Sequence, residues 1–329
     1  PVHYNKEDMV EAYFGANIPK LGFGLMRLPK DKKGNIDLEQ VKEMVDQFMA
    51  AGQTYFGTAY VYDDGGSERA AKAALVDRYP RESYTLATKL CAWMGAHDEK
   101  SAKQQFATSL ERTGAGYFDY YLLHALQAGN YKTYDKYHLW DFVREQKEKG
   151  LIKHWGFSFH ATPEILDEVL TAHPDSEFVQ LQLNYADWEN PAVTARANYE
   201  VARKHGKSIV VMEPIKGGTL VNLPEKAEQL FRSYNPAASN ASWALRFAAS
   251  HEGVMMVLSG MNSMEQLEDN IHTMKDFRPM KEEEKDLCAQ AAQIIQRELT
   301  IPCTGCGYCT VQCPKHIPIP EYFALFQHG

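Results

Sequence analysis

The chain has 329 residues, 44% hydrophobic and 24% charged, which suits one large domain with an appendage better than two equal domains. A net charge of −8 offers no basic footprint for nucleic acid, and no apolar run approaches the roughly 20 residues that a membrane span needs. The opening residues mix charge with aromatics and do not read as a signal peptide. Four of the six cysteines crowd between 303 and 313, a pattern of metal binding in a cytoplasmic protein rather than a secreted disulfide framework.

In chain order, β-rich runs are expected at Lys20–Gly24, Gln53–Thr58, Tyr84–Lys89, Phe118–His124, His154–Ser158, Phe178–Asn184, Ser208–Glu213 and Val254–Ser259. Helical periodicity lies between them. In Leu38–Ala51, apolar Val41, Val45, Phe48 and Met49 recur at helical spacing. Ser101–Arg112, Asp135–Lys149, Thr162–His173, Pro191–His205, Ser239–His251 and Ser263–Met274 follow the same pattern. Thr162-Pro163-Glu164 supplies a cap and then Pro at the first helical position, and Gly52, Gly150 and Gly206 each stand where a helix should stop. Strands alternating with helices predict an α/β fold with a parallel sheet, most simply a closed (β/α)8 TIM barrel. The open doubly wound alternative lacks its glycine fingerprint: Gly22-Phe23-Gly24 runs into Leu25-Met26-Arg27. A division follows, with the barrel at residues 1–280 and, at 281–329, a charged helix (Lys281–Leu299) plus a Cys-, Gly- and Pro-rich tail ending in a short helix, Pro320–Gln327.

In such barrels the working residues sit where strands end. Tyr62 lies just beyond the second strand, Lys89 closes the third and His124 closes the fourth. A phenol is a poor acid at neutral pH, and a neighbouring ammonium is expected to lower its pKa. Tyr62 beside Lys89 would then give a proton to a carbonyl oxygen as hydride reaches the carbon, with neutral His124 holding that oxygen. Each residue alone reads as readily as a packing or hydrogen-bonding group; the combination points to chemistry.

Phe56-Gly57-Thr58-Ala59-Tyr60-Val61-Tyr62, Ser67-Glu68, Thr88-Lys89, Tyr121–His124, Gly156-Phe157-Ser158 and Leu258–Asn270 resemble the aldo-keto reductases, in order and spacing from Leu21 to about Asn270. With the tail, the chain is similar to the bacterial subgroup carrying a ferredoxin-type C-terminus. The resemblance implies an NAD(P)-dependent oxidoreductase with an Asp-Tyr-Lys-His tetrad. Tyr62, Lys89 and His124 match three positions, and Gly57 occupies that of the aspartate, the lysine's usual counter-ion. Asp63 and Glu213 are candidates to replace it.

The same resemblance implies a nicotinamide dinucleotide surrounded by Gly24, Met26, Arg27, Ser158, Gln180, Met212, Glu213, Pro214, Gly217, Gly218, Ser259, Gly260, Gln266 and Asn270. Phe159 follows Ser158 where the family has Asn, and Met212 stands where an aromatic stacks on nicotinamide. Gly260 and Gln266 stand where cations usually meet the adenosine 2′-phosphate, which tilts the reading away from strict NADPH dependence. NADH, either nucleotide, or none stay open.

Cys303-x-x-Cys306-x-x-Cys309-x-x-x-Cys313-Pro314 is the bacterial ferredoxin run, expected to hold a 4Fe-4S cluster through those four thiolates. A structural zinc site would favour two separated Cys pairs. Cys288 and Cys91 are the spare thiols should Cys313 not fold back. The tail is read as a staple or as an electron-transfer element serving a partner protein.

The leading function is hydride transfer between nicotinamide and a small-molecule carbonyl or alcohol (a sugar, a steroid or a quinone), with His160 and Trp188 as candidate contacts. The rivals are a lyase or isomerase acting beside a carbonyl, and a non-catalytic iron–sulfur relay.

Overall fold

The computed structural model describes residues 18–298, 301 and 303–328. Eight parallel strands close into a barrel in strict chain order: β1 Leu21–Gly24, β2 Tyr55–Gly57, β3 Thr85–Leu90, β4 Phe118–Leu126, β5 Ile152–Phe159, β6 Phe178–Gln182, β7 Ser208–Met212 and β8 Val254–Ser259. β1 pairs with β8 through Leu21↔Val257 and Gly22↔Leu258, so the sheet has no free edge. An apolar shell that includes Phe23, Phe56, Tyr121, Leu123, Trp155 and Val211 joins the strands to the surrounding helices. A second cluster, with Tyr55, Tyr120, Leu122, Phe178, Val210 and Met256, fills the barrel interior. Removing a fully buried ring such as Trp155 would cost about 3–5 kcal/mol.

Side chains alternate between these layers along each strand. Tyr55 therefore puts Gly57 on the inner face of β2. Ala87 puts Lys89 on the inner face of β3, and Tyr120 and Leu122 put His124 on that of β4. The sheet's period thus carries the tetrad positions to one mouth.

The helix starts follow cap chemistry. Asp37 accepts from the Gln40 amide, Asp98 and Ser101 cap each other reciprocally, and Thr162 accepts from the Ile165 amide ahead of a Pro-led helix. Gly150 and Gly206 take left-handed backbone immediately beyond their helices, as stop residues do.

Some expected elements differ. Asp135–Lys149 is two helices, Tyr131–Lys136 and Leu139–Glu148, because His138 between them takes a left-handed conformation while its ring pairs with Glu99. The Pro191–His205 helix begins only at Ala195. Helices Gly66–Ala71 and Glu225–Tyr234 carry no counterpart in the sequence reading. The charged helix Glu282–Glu298 packs on Glu225–Tyr234, and its Cys288, Ala291 and Ile295 join the outer core. Leu299 lies outside the described residues.

Candidate active site

Tyr62, Lys89, His124 and Gly57 all line one cavity of about 890 Å³ at the C-terminal mouth of the barrel. Tyr62 stands at the start of a short turn, Tyr62–Gly65, in which Asp63 and Asp64 both take left-handed backbone. That turn is tied down by a buried network. Arg112 donates to the Tyr60 carbonyl at 2.9 Å and pairs with Glu68 at 3.1 Å, while Thr88 donates to Glu68 at 2.8 Å. The network fixes the loop bearing Tyr62 against the strand bearing Lys89.

Lys89 is buried and donates to the Thr58 carbonyl at 2.7 Å and to the Tyr62 hydroxyl at 3.2 Å. Neither candidate replacement for the aspartate is its hydrogen-bond or ion-pair partner. Asp63 pairs with Lys30 at 2.7 Å, and Glu213 faces Arg27 at 3.5 Å. Burial pulls the Lys89 ammonium down to about 7, and the Glu68 charge only partly opposes this. The expected acidification of Tyr62 is reversed: burial, and then the Glu213 charge, push its phenol well up. Tyr62 is therefore held as a protonated phenol, beside a lysine whose charge is disfavoured by burial. A Cβ added at Gly57 would sit at ordinary contact, 3.6 Å from Leu258 and 3.7 Å from Tyr55, so the position has room for a side chain to begin.

His124 is held by its backbone. Its carbonyl accepts from Tyr134, and the next residue, Ala125, turns left-handed at a register shift between β4 and β5. The amide of Ala125 donates to Ser158 Oγ at 2.7 Å. Ser158, expected at the cofactor, holds this bulge through its oxygen and is not among the residues lining the cavity. Burial, together with the Lys89 and His160 charges, drives the His124 imidazole well below its ordinary pKa, so it is neutral. Its Nδ1 is buried without a partner among the described residues.

Gly24, Met26, Arg27, Gln180, Met212, Glu213, Pro214, Gly217, Gly218, Ser259, Gly260, Gln266 and Asn270 all line the same cavity. Ser259 donates to Asn270, Gln180 reaches Met212 Sδ at 3.7 Å, and Gln266 accepts from the Asn262 amide at 2.9 Å. Glu265, Glu268 and Asp269 join the lining around Gln266, while its Lys and Arg members are Arg27 and Lys89.

The cysteine tail lies across this mouth. Arg27 donates to the Thr304 carbonyl at 2.8 Å, and a Cβ on Gly217 would come within 2.1 Å of the same oxygen. Gln312 donates to Gln127 at 2.9 Å. Between these ties Tyr308 enters the site, its hydroxyl 2.8 Å from His124 Nε2. Sequence reasoning missed Tyr308: its place between Cys306 and Cys309 signals only a cluster loop.

The four tail cysteines are half-buried. The Gly305 amide points at Cys303 Sγ from 3.4 Å, and the amides of Lys315, His316 and Ile317 pull the Cys313 thiol below its usual range. Among the described residues, no three His, Cys, Asp or Glu side chains gather as they would around one metal ion. In a cubane each thiolate binds a different iron, so its ligands need not share one point. Cys91 and Cys288 are buried thiols, both pushed up to about 12 by burial.

A family model described as the Aldo/keto reductase family matches residues 20–293. The chain is 23% identical over 312 residues to an uncharacterized oxidoreductase, YqkF, of Bacillus subtilis, covering 85% of this chain and 95% of that one. Its fold resembles the aldo-keto reductase AKR11C1 from Bacillus halodurans in its holo form (TM-score 0.63, 24% identity, 83% and 91% of the two chains). It also resembles an aldo-keto reductase from Klebsiella pneumoniae in complex with NADPH (TM-score 0.66, 18% identity, 84% and 91%). Among the described residues no helix is long and apolar enough to cross a membrane.

Proposed function

This chain belongs to the aldo/keto reductase family and is an oxidoreductase; from that premise we propose that it moves hydride between a nicotinamide dinucleotide and the carbonyl or alcohol of a small molecule. The observation that carries the proposal is the convergence of a buried lysine on a phenol, beside a neutral imidazole, at one end of a long cavity. When bound, the dinucleotide supplies or accepts the hydride. Tyr62 gives its proton to the nascent alkoxide, a transfer favoured because a phenol kept protonated by burial is still a stronger acid than an alcohol. Lys89 returns a proton to the tyrosinate across the 3.2 Å contact. His124, neutral, donates from Nε2 to the substrate oxygen, which leaves Nδ1 as the bare nitrogen.

Met212 and Gln180 would flank the nicotinamide, Glu213–Gly218 the diphosphate, and Ser259–Asn270 the adenosine. The acids Glu265, Glu268 and Asp269 around neutral Gln266 disfavour a 2′-phosphate, so NADH is the preferred nucleotide. A fluorescence titration tests this. NADH should bind more tightly than NADPH, and Gln266→Arg should narrow the gap by about tenfold, one charge-assisted contact. Failure of both nucleotides to bind would remove hydride transfer as the reaction class.

The tail is read as an accessory 4Fe-4S site held by Cys303, Cys306, Cys309 and Cys313. The support is the ferredoxin spacing, the Gly305 amide directed at Cys303 Sγ, and the amides that pull the Cys313 thiol below its usual range. When bound, the cluster supplies a covalent brace for the tail and single-electron chemistry. Cys306 also lines the cavity.

A further inference from the structure

Tyr308 meets the barrel as a ligand would. Its hydroxyl is on His124 Nε2, the atom assigned above to the substrate oxygen. Its ring is enclosed by the rings of Trp93, His124 and His160, with centroids 5.5, 5.9 and 5.9 Å away and interplanar angles of 83°, 80° and 79°. Near-perpendicular contacts of this kind favour a flat aromatic guest. The host is firmly held: Trp93 donates to the Ala125 carbonyl at 3.1 Å, and the His160 amide bonds to the Leu126 carbonyl at 2.8 Å. The guest's own helix contributes little burial: Tyr308–Gln312 has no buried residue, and its neighbouring ties to the barrel include the polar contacts at Thr304 and Gln312.

We propose that the place filled by Tyr308 is the substrate's own, and that it takes a flat six-membered ring with oxygen attached directly to the ring: a cyclic enone or quinone as oxidised substrate, a phenol as ligand. This rests on the reduction site read above. A sugar would set several hydroxyls against ring edges, whereas a flat ring ketone reproduces both the hydroxyl contact and the three ring contacts. Tyr308 must withdraw for it to enter. The ring carbonyl carbon then receives hydride from the reduced nicotinamide, and the C=O π pair takes the Tyr62 proton. A ring alcohol, oxidised nicotinamide and a tyrosinate result, and the tyrosinate is reprotonated through Lys89.

The test uses the full chain, without nucleotide, titrated calorimetrically with 4-methylphenol, toluene and 4-methylcyclohexanol. Tyr308→Ala should bind 4-methylphenol about tenfold more tightly than the parent, because the internal competitor is gone. Toluene, lacking the oxygen, and 4-methylcyclohexanol, lacking the flat ring, should gain little. Equal affinity of parent and variant for 4-methylphenol, or an equal gain for all three compounds, would overturn the proposal. If the alanine variant has no thermal transition, Tyr308→Phe carries the test. It keeps the ring but loses the bond to His124, and should still gain about threefold or more for 4-methylphenol. No gain there is equally contrary. Reduction assays keep the two readings apart. Binding as expected with no NADH-dependent reduction of cyclohex-2-enone leaves the ring site standing and sinks the hydride reading. Reduction of cyclohex-2-enone and butanal alike, with no phenol gain in either variant, does the reverse.

Discussion

The barrel mouth and the tail that crosses it are held in different ways. Tyr62, Lys89 and His124 sit on or beside strands, and each is fixed by buried partners: the Glu68–Arg112–Thr88 network, the Thr58 carbonyl, and the Tyr134 and Ser158 clamps on β4. The tail is anchored by a few polar contacts and one inserted ring, and its last helix exposes Tyr322, Leu325 and Phe326. The difference is one of anchoring: the proposed chemistry lies among side chains fixed by buried contacts, whereas the tail meets them through polar contacts and one ring. Substitutions in the first should change turnover or folding; substitutions in the second should change who enters.

The largest effect should come from Tyr62→Phe. Removing the proton donor should lower NADH-dependent ketone reduction by about 10²–10⁴-fold while the nucleotide dissociation constant stays put. Glu68→Ala should follow, destabilising the fold by about 1.5–3 kcal/mol in urea melts by removing the buried carboxylate that pairs with half-buried Arg112 and accepts from Thr88. A matching substitution at Gln312 should leave the melt within about 0.5 kcal/mol of the parent, as expected of an exposed contact.

Gly57→Asp sharpens the contrast by altering charge at the rigid site. In the native chain Lys89 is protonated below about 7 and neutral above, so turnover that uses the ammonium should be full below that pH and fall as pH rises through it. A carboxylate beside it should raise the midpoint by about 1–3 units and increase turnover above neutrality. The stability consequence has a definite sign. A lysine whose folded pKa is depressed costs the fold in full below about 7, and that cost fades as pH climbs toward the unfolded value of 10.5. An unmoved limb in the pH–rate profile would mean that Lys89 does not govern it. The smallest effect belongs to Cys288→Ala, which should leave the iron content of anaerobically purified protein unchanged, because that thiol is packed against Met280 in the barrel wall. Cys306→Ser should lower it.

Much of the rigid region is legible in the sequence because it is periodic. Alternation along Tyr120, Leu122 and His124 tells which residues share the inner face, and chain order tells which strands are neighbours. The departures have local causes. His138 breaks a continuous helical pattern through its own backbone conformation, and the bond from the Ala125 amide to Ser158 depends on a bulge that periodicity cannot reveal. The acidity of Tyr62 is not legible from residue types, since burial and then the Glu213 charge raise the phenol and outweigh the Arg27 charge that would lower it. Tyr308 is the least legible. A cysteine run dictates its own loop but carries no signal of where that loop lands.

Isotope tracing tests the central claim most directly. NADH deuterated at C4, on one face or the other, is oxidised by the full-length protein in the presence of cyclohex-2-enone, and the product is analysed by mass spectrometry and NMR. One of the two labelled forms should place a single deuterium on the carbinol carbon, with label incorporation matching NADH consumed. A product free of deuterium from both forms, or an isomer formed without nucleotide oxidation, would contradict hydride transfer at the Tyr62–Lys89–His124 mouth.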